Sequence, residues 1–576
     1  MIDVTPPQLE VAPRHWRVAL PLSTLRSAYR ATTYPTAWPL SAAMLLLAAV
    51  LAGGILRFEG LSGLPAGLNQ DEAVNGYDAY SLIHTGRDHH GHPFPFAGLE
   101  SFGDWSSPLL TFLTAPVVGI FGLRLEVIRA VSAAVGLAAV PIIYWLAVEL
   151  FGRRSIGFAA AWLIALSPWA IHLSRWAIPT TTVPTMVAAT MLSTVWTAQR
   201  RSGHGLIVAA ILAGLTMASY PTMKLFVPLV VVVAVIVYGR DLLRIDRWSI
   251  VGAALVLLAI AGPILFLSTF DPGGRARLDQ VSAFHDGPNL GLFTRQYLSY
   301  LSPHFLFYRG DGDAMHLPTG YGVELRSTIP ILIWGLVWLL AMTLRPRLAR
   351  WRSVLFLLGV LVVYPIPGSL TVPSPHTLRG AQLIPLTALI GTVGLVSGAE
   401  LIVRLIRHSQ PVSARGALAV IWTLPLLLFF GTEVVSRSEQ YHDRYPDDTA
   451  YLYQDGLVPA LTFAREHAAD VDEIWVADVN QPYIYVLFEA EWSPSDVHDH
   501  LKLRRDPPRF NVVQEIGKYH FATDSGNGPP PEIQSAMDSN SLVPLFEDHY
   551  PQGSPAYQVR EGDVPGHGRV LVVDRI

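Results

Sequence analysis

The chain has 576 residues, 51% of them hydrophobic and only 15% charged, with a formal net charge of −4. A soluble globular protein is nearer a quarter charged, and the absence of cysteine excludes disulfides and thiolate metal sites. The apolar residues lie in blocks long enough to cross a bilayer, which takes about 20 of them.

In chain order, residues 1–37 form a basic segment carrying Arg14, Arg17, Arg26 and Arg30, expected in the cytoplasm. No A-x-A-like cleavage site ends the apolar block that follows, so that block reads as a retained anchor. The candidate spans are 38–57, 127–150, 155–172, 180–198, 204–221, 225–239, 249–268, 327–344, 353–367, 380–402 and 416–436. Arginines cluster at Arg153/Arg154, Arg200/Arg201, Arg240/Arg244/Arg247, Arg345/Arg347/Arg350/Arg352 and Arg404/Arg407/Arg415. Every second connection is therefore basic and is expected to face the cytoplasm. Residues 107–122 (SPLLTFLTAPVVGIFG) are apolar but short and contain a proline. Counted as a span, they would invert every later loop. An interfacial helix on the outer leaflet keeps the alternation.

The expected fold is mainly α, a polytopic helical bundle of about eleven spans over 38–436 in the cell membrane. Its N-terminus is inside and its C-terminus outside. Three external regions follow: 58–126 with interfacial helices, the long loop 269–326, and the tail 437–576. The tail reads as a small α/β domain. In it GLVPALTFAREHA suits a helix and DEIWVADV a strand that QPYIYVLF continues, and RVLVVD suits another strand.

The first external region opens with LNQDEAVNGYDAY. In a helix, Asp71, Asn75 and Asp78 fall on one face and Glu72 on another. Such a stripe suits a general base facing a surface cavity. Asp71 equally suits a helix N-cap with Glu72 in the first turn, where the dipole favours acids. Single cations recur at the outer ends of spans: Arg129, Arg175, Lys224 and Arg379, with His172 and His376 nearby. One such residue alone reads as snorkelling toward headgroups. Several at one depth, on the side that should be poor in cations, suit a phosphate-binding ring. In the second external loop, GDGD (Asp311, Asp313) resembles a fragment of a calcium loop but lacks its full spacing, so it reads as a tight turn, with a divalent metal as the less favoured alternative and no other cofactor expected. Basic stretches do not interleave with aromatics in a soluble module, so nucleic acid is not an expected partner.

A base and a cationic ring sharing an outward cavity suit transfer from a lipid-linked phosphate. If the lipid carries a sugar, its phosphate leaves as a stable anion and needs charge stabilisation but no proton. One carboxylate is then enough to deprotonate an acceptor hydroxyl, and the transfer inverts.

Four stretches, in order, resemble the GT-C glycosyltransferase superfamily, in the branch of protein O-mannosyltransferases and lipid A aminoarabinose transferases. They are Asp71-Glu72 after the first span, then SPLLTFLTAPVVGIFG with Arg129. YWLAVELFGRRSIGFAAAWLIALSPWAIHLSRW and TMKLFVPL follow. Ser107 stands where the family often has proline, and TMKLFVPL lacks the glycine of the family's Thr-Lys-Gly stretch. The resemblance implies a polyprenyl-phosphate-linked sugar as donor, Asp71-Glu72 as the catalytic pair with Asp71 as base, and no required metal; whether Glu72 or Asp78 shares the base role, and whether Asn75, His172 and His376 assist, stays open. It leaves the acceptor open among extracytoplasmic protein, lipid and glycan. A lipid-glycan transporter or flippase and a membrane-anchored envelope assembly protein are the competing readings.

Overall fold

Each of the eleven apolar blocks falls on helical structure in the computed structural model. It describes residues 40–284, 287–346, 350–409, 412–477, 479–504, 512–522, 529–539, 541–553 and 555–576. The basic segment 1–37 and Arg347 lie outside those residues. The helices are α1 (Leu40–Phe58), α2 (Gln70–Thr85), α3 (Leu109–Phe121), α4 (Leu125–Phe151), α5 (Arg154–Ala165), α6 (Pro168–Arg175), α7 (Val183–Arg200) and α8 (Gly203–Met217). Then come α9 (Met223–Leu242), α10 (Arg247–Phe270), α11 (Pro272–Val281), α12 (Leu290–Tyr300), α13 (Ile329–Thr343), α14 (Trp351–Val363), α15 (Leu383–Ser409) and α16 (Val412–Asp443).

Among the described residues, seven helices are long and apolar enough to cross a membrane, or eight if a bent pair is one span. The count of eleven is thus met only in part. The block at 155–172 is the bent pair: α5 and α6 meet at 55°. Ser167 caps α6 and Pro168 opens it. The carbonyls of Ile164 and Ala165 left over at the break accept from buried Arg57 on α1, at 3.0 Å each, so the break is a satisfied one. The block at 204–221 gives only the 15 residues of α8. The block at 180–198 gives α7, whose threonines lower its hydropathy but find partners inside the bundle, as Thr190 does with Thr216 at 2.8 Å. Residues 107–122 form the 13-residue α3, too short to span.

Arginines from three of the clusters meet acidic partners at one end. Arg200 reaches Glu149 at 2.8 Å and Arg201 reaches Asp241 at 3.0 Å. Arg153 pairs with Glu400 and Arg352 with Asp241. The loops carrying α2 and α3 lie at the other end, beside the start of α4.

After α16 the chain builds α17 (Leu457–Glu466), α18 (Pro482–Glu489) and a seven-stranded mixed sheet. A two-stranded ribbon precedes it in the first loop, β1 (Leu99–Glu100) with β2 (Trp105–Ser106). The sheet strands are β3 (Glu473–Val476), β4 (Lys502–Arg504), β5 (Val512–Ile516), β6 (Tyr519–Phe521), β7 (Val543–His549), β8 (Pro555–Val564) and β9 (Gly568–Arg575). Their order is β4-β5-β6-β3-β9-β8-β7, and central β3 runs parallel to both neighbours. The expectations for GLVPALTFAREHA, DEIWVADV and RVLVVD agree with α17, β3 and β9. QPYIYVLF does not: it is helix α18. Gln481, with φ 53, turns the chain out of β3, and Pro482 opens the helix. Tyr483 to Phe488 are all buried, so the run shows no alternation from which to tell strand from helix.

The tail is not a free appendage. One hydrophobic core runs from Leu68, Tyr77 and Ile128 of the first loop and α4 to Leu461, Ile484 and Val573 of the tail. Gly76 on α2 is a point of close approach: a Cβ there would stand 2.7 Å from the Phe488 ring.

Candidate active site

Helix α2 begins where the sequence places an N-terminus, but its cap is Asn69. The Asn69 side chain accepts from the Asp71 N–H at 2.9 Å. Glu72 returns the bond to the Asn69 N–H, at 3.3 Å, completing a capping box. Gly86, at φ 70, ends the helix. The two adjacent acids have opposite fates. Asp71 is exposed, and Glu72 is fully buried.

Glu72 is held by a fork. Arg129 Nε donates to its Oε1 at 2.8 Å and Arg129 Nη2 to its Oε2 at 2.7 Å. The Ala177 N–H adds a bond to Oε1 at 3.0 Å. The other donors of Arg129 go to backbone carbonyls: Leu61 at 2.9 Å, Pro65 at 2.7 Å and Gly67 at 2.9 Å. A guanidinium has five N–H groups, and all five of Arg129 are spent inside the protein. Arg175 works in the same way on the same loop, donating to the carbonyls of Leu56 (3.1 Å), Glu59 (2.5 Å), Gly60 (3.3 Å) and Leu64 (3.2 Å). The loop between α1 and α2 is thus wrapped around two buried guanidinium groups. Gly67 fits there because it adopts φ 73 and a Cβ would lie 2.5 Å from the Tyr453 carbonyl. Both ends of the α1–α2 connection are fixed, and with them the position of Asp71.

The remaining candidates each have other surroundings. Asn75 and Asp78 are buried on α2. Asn75 accepts from the Thr111 hydroxyl of α3 at 2.7 Å, while Asp78 accepts from His89 Nδ1 at 2.7 Å and from the His89 N–H at 2.9 Å. The stripe of Asp71, Asn75 and Asp78 therefore turns from solvent into packing within one and a half turns. Lys224 is partly buried and donates to Ser268 at 2.6 Å, with Asp104 of the first loop in electrostatic reach. Arg379 donates through Nη1 to Thr371 Oγ1 and the Val372 carbonyl, both at 2.9 Å, and to the Pro373 carbonyl at 3.3 Å. Tyr300 lies within electrostatic reach of both Arg379 and Tyr220, which stands just before Lys224. His172 is buried between the Tyr441 hydroxyl at 3.2 Å and the Met315 carbonyl at 2.9 Å. His376 packs its ring on His316, with centroids 4.7 Å apart.

The structure therefore brings Glu72, Arg129 and Arg175 together around one loop. Asp71 stays outside that knot, and Lys224 and Arg379 bind other partners. The sequence reading passed over the R-D-H-H-G-H stretch at 87–92, although three histidines and an aspartate in six residues are a visible signal. Asp88 there gathers the N–H groups of His90 (3.1 Å) and His92 (2.9 Å) and the ring of His92 (3.1 Å). His89 joins Asp78 to the Tyr483 hydroxyl of α18 at 3.2 Å.

Residues 106–266 match the family described as dolichyl-phosphate-mannose-protein mannosyltransferase. No curated protein matches the sequence. Among solved structures, ArnT from Cupriavidus metallidurans in the apo state is 12% identical, over 78% of this chain and 84% of that one, with a TM-score of 0.50. The oligosaccharyltransferase of Archaeoglobus fulgidus tethered with an acceptor peptide is 14% identical, over 78% of this chain, with a TM-score of 0.51. The match spans 63% of that larger chain. AglB from the same organism, in complex with an inhibitory peptide and a dolichol-phosphate, is 13% identical over 78% of this chain and 64% of that one, at TM-score 0.50. At such identities the likeness is one of fold. The chain has the fold of the GT-C glycosyltransferases, and its residues 106–266 carry the sequence pattern of the dolichyl-phosphate-mannose-protein mannosyltransferase family.

Proposed function

We propose that the protein is a membrane glycosyltransferase that moves a sugar from a polyprenyl-phosphate carrier to an acceptor hydroxyl on the extracytoplasmic side. The observation that carries this reading is the contrast at the start of α2. An exposed carboxylate, Asp71, stands on a helix whose first turn is locked by the buried Glu72–Arg129 fork. A general base must be accessible and must be held still, and Asp71 meets both requirements. The dolichol-phosphate bound by the related archaeal AglB supports a lipid phosphate as the leaving group.

In the proposed step Asp71 takes the proton of the acceptor hydroxyl as its oxygen bonds to the anomeric carbon. The bond from that carbon to the phosphate oxygen breaks on the opposite face, so the configuration inverts. The bonding pair leaves on the polyprenyl phosphate, which needs no proton. Lys224 and Arg379 are the candidates to hold that phosphate. Lys224 has three ammonium donors and makes one close bond. Only one nitrogen of Arg379 is engaged with the 371–373 loop. Arg129 acts as scaffold, since all five of its donors are committed to Glu72 and the α1–α2 loop, and Arg175 braces the same loop through both terminal nitrogens. Glu72 holds the helix and is not a second base. The acceptor class stays open among protein, lipid and glycan.

The test is transfer of radiolabelled sugar from a panel of polyprenyl-phosphate sugars to envelope extract, using purified protein in lipid. Label entering an acceptor with wild type but not with Asp71→Asn is the expected result. No transfer from any donor, together with movement of intact donor between leaflets, would sink the enzyme in favour of a transporter.

A further inference from the structure

The long loop 269–326 and the 370–380 segment before α15 meet at a cluster that the proposed transfer does not use. Asp311 and His316 come from the first and His376 from the second. The GDGD turn forms as the sequence suggests: Asp311 Oδ1 accepts from the Asp313 N–H at 3.2 Å, and Asp313 Oδ1 accepts from the Met315 N–H at 2.9 Å. That turn points the Asp311 carboxylate at two imidazoles from different stretches of chain. Asp311 Oδ2 stands 2.6 Å from His316 Nδ1 and 3.9 Å from His376 Nδ1. One ligating atom from each of the three lies within 4.8 Å of the others. The side chains of Asp311, His316 and His376 are only 6%, 9% and 14% exposed.

We propose that Asp311, His316 and His376 form a binding site for a divalent transition metal of the zinc class. The donor set argues for this choice. Two imidazoles and one carboxylate suit zinc, cobalt or iron, whereas calcium and magnesium want oxygen ligands throughout. Ligand distances of about 2.0–2.2 Å in a tetrahedron place ligating atoms about 3.3 Å apart. The Asp311–His376 distance is near that value, and the Asp311–His316 distance reaches it when the imidazole moves back from its hydrogen bond. The surroundings are those of a metal site as well. His316 turns its other nitrogen, Nε2, toward the Asp313 carboxylate at 3.8 Å, the pairing that commonly orients a metal-bound histidine. The Thr377 N–H donates to Asp311 Oδ2 at 2.7 Å, and the His376 N–H donates to the Tyr300 hydroxyl at 3.2 Å. Both fix ligand positions from the backbone. Three protein ligands leave a coordination position open to water or to an anion.

Such a metal would clasp the long loop to the 370–380 segment, three residues from Arg379. It would also fix Met315, whose carbonyl accepts from His172, Tyr445 (2.9 Å) and Tyr453 (3.1 Å). None of the three ligands takes part in the proposed transfer, so the existence of the site does not depend on that reaction.

The experiment uses the purified full chain in detergent, stripped with a chelator and then titrated with zinc or cobalt(II). Wild type is expected to retain about one equivalent per chain after desalting, by elemental mass spectrometry, and to melt higher when loaded. His376→Gln and His316→Gln should each weaken binding by at least about 100-fold, and Asp313→Asn by about 10-fold. Monodispersity and the metal-free melting temperature separate lost ligands from lost folding. If both histidine variants fail to fold, the visible spectrum of cobalt-loaded wild type decides. Ligand-field bands of cobalt held by nitrogen and oxygen support the site, and their absence overturns it. No retained metal in wild type, or equal affinity in wild type and folded His376→Gln, overturns it too.

Discussion

The α1–α2 loop and the exposed start of α2 lie side by side and treat charge in opposite ways. Around the loop, Arg129 and Arg175 are buried: all five donors of Arg129 go to Glu72 and to carbonyls, whereas Arg175 gives its two terminal nitrogens to carbonyls and its Nε has no partner among the described residues. At the helix start, Asp71 meets solvent. Charged groups packed close together are thus spent on the scaffold in one place and left at the surface in the other. Burial and donor accounting separate them, because a guanidinium with five satisfied N–H groups has nothing to offer a phosphate.

The sharpest way to break this comparison is Asp71→Asn. The proposed base predicts a loss of transfer of about 10²–10⁴-fold, with melting temperature and donor binding near wild type. A variant that transfers normally removes Asp71 from the chemistry. If its melting temperature also falls steeply, the residue belongs with the scaffold.

The buried pair should answer in the other currency. Arg129→Met leaves Glu72 buried without its fork and should cost about 3–5 kcal/mol of stability, read as a lower denaturation midpoint or failed expression. Glu72→Gln combined with Arg129→Met should be less damaging than Arg129→Met alone, because no unpaired charge remains. If Arg129 instead held the donor phosphate, its loss would weaken binding of lipid phosphate and leave the midpoint in place. For Arg175 the conservative change is the informative one. Arg175→Lys keeps the charge but loses the flat fork that reaches four carbonyls, and about 1–3 kcal/mol of stability should go with it. Lys224→Gln should leave stability nearly unchanged and weaken binding of polyprenyl phosphate by about 10-fold, in contrast to both arginines.

Much of this arrangement is legible in the sequence, within limits that physics sets. Every apolar block lies on helical structure, and the alternation of arginines marks one end of the bundle, because length and charge are properties of single segments. The break between α5 and α6 is not legible, since its cost is offset by Arg57 from a distant helix. The acids Asp71 and Glu72 are legible as a helix start. Which of them is buried depends on Arg129, 57 residues away. QPYIYVLF misleads because a run buried on all sides has no period to read. The Asp311–His316–His376 cluster needs a contact 65 residues apart in sequence between Asp311 and His376, and no local spacing announces it.

The last and smallest effect concerns how the tail holds α2. His89 is buried between Asp78 on α2 and Tyr483 on α18. Burial opposes a charged imidazolium there, but the Asp78 carboxylate at 2.7 Å, with Asp88 and Glu100 further off, raises the His89 pKa above its ordinary value. Burial likewise raises the Asp78 pKa, with His89 opposing it, so the two groups titrate as an interacting pair. A folded-state pKa above the unfolded one gives stability that is complete below about pH 6.5 and is lost as pH rises through the folded value. Wild type should therefore lose more of its melting temperature between about pH 6 and about pH 9 than His89→Gln does. Protection of the α2 amides from hydrogen exchange should fall over the same interval in wild type only. Equal slopes for the two proteins would mean that His89 is neutral throughout and that the tail is held by the shared apolar core and by bonds such as that of the Tyr77 hydroxyl to the Trp492 carbonyl. Loosening at alkaline pH, with Asp71 still ionised, would then separate the two demands on a base: loss of transfer there would follow from a helix no longer held still.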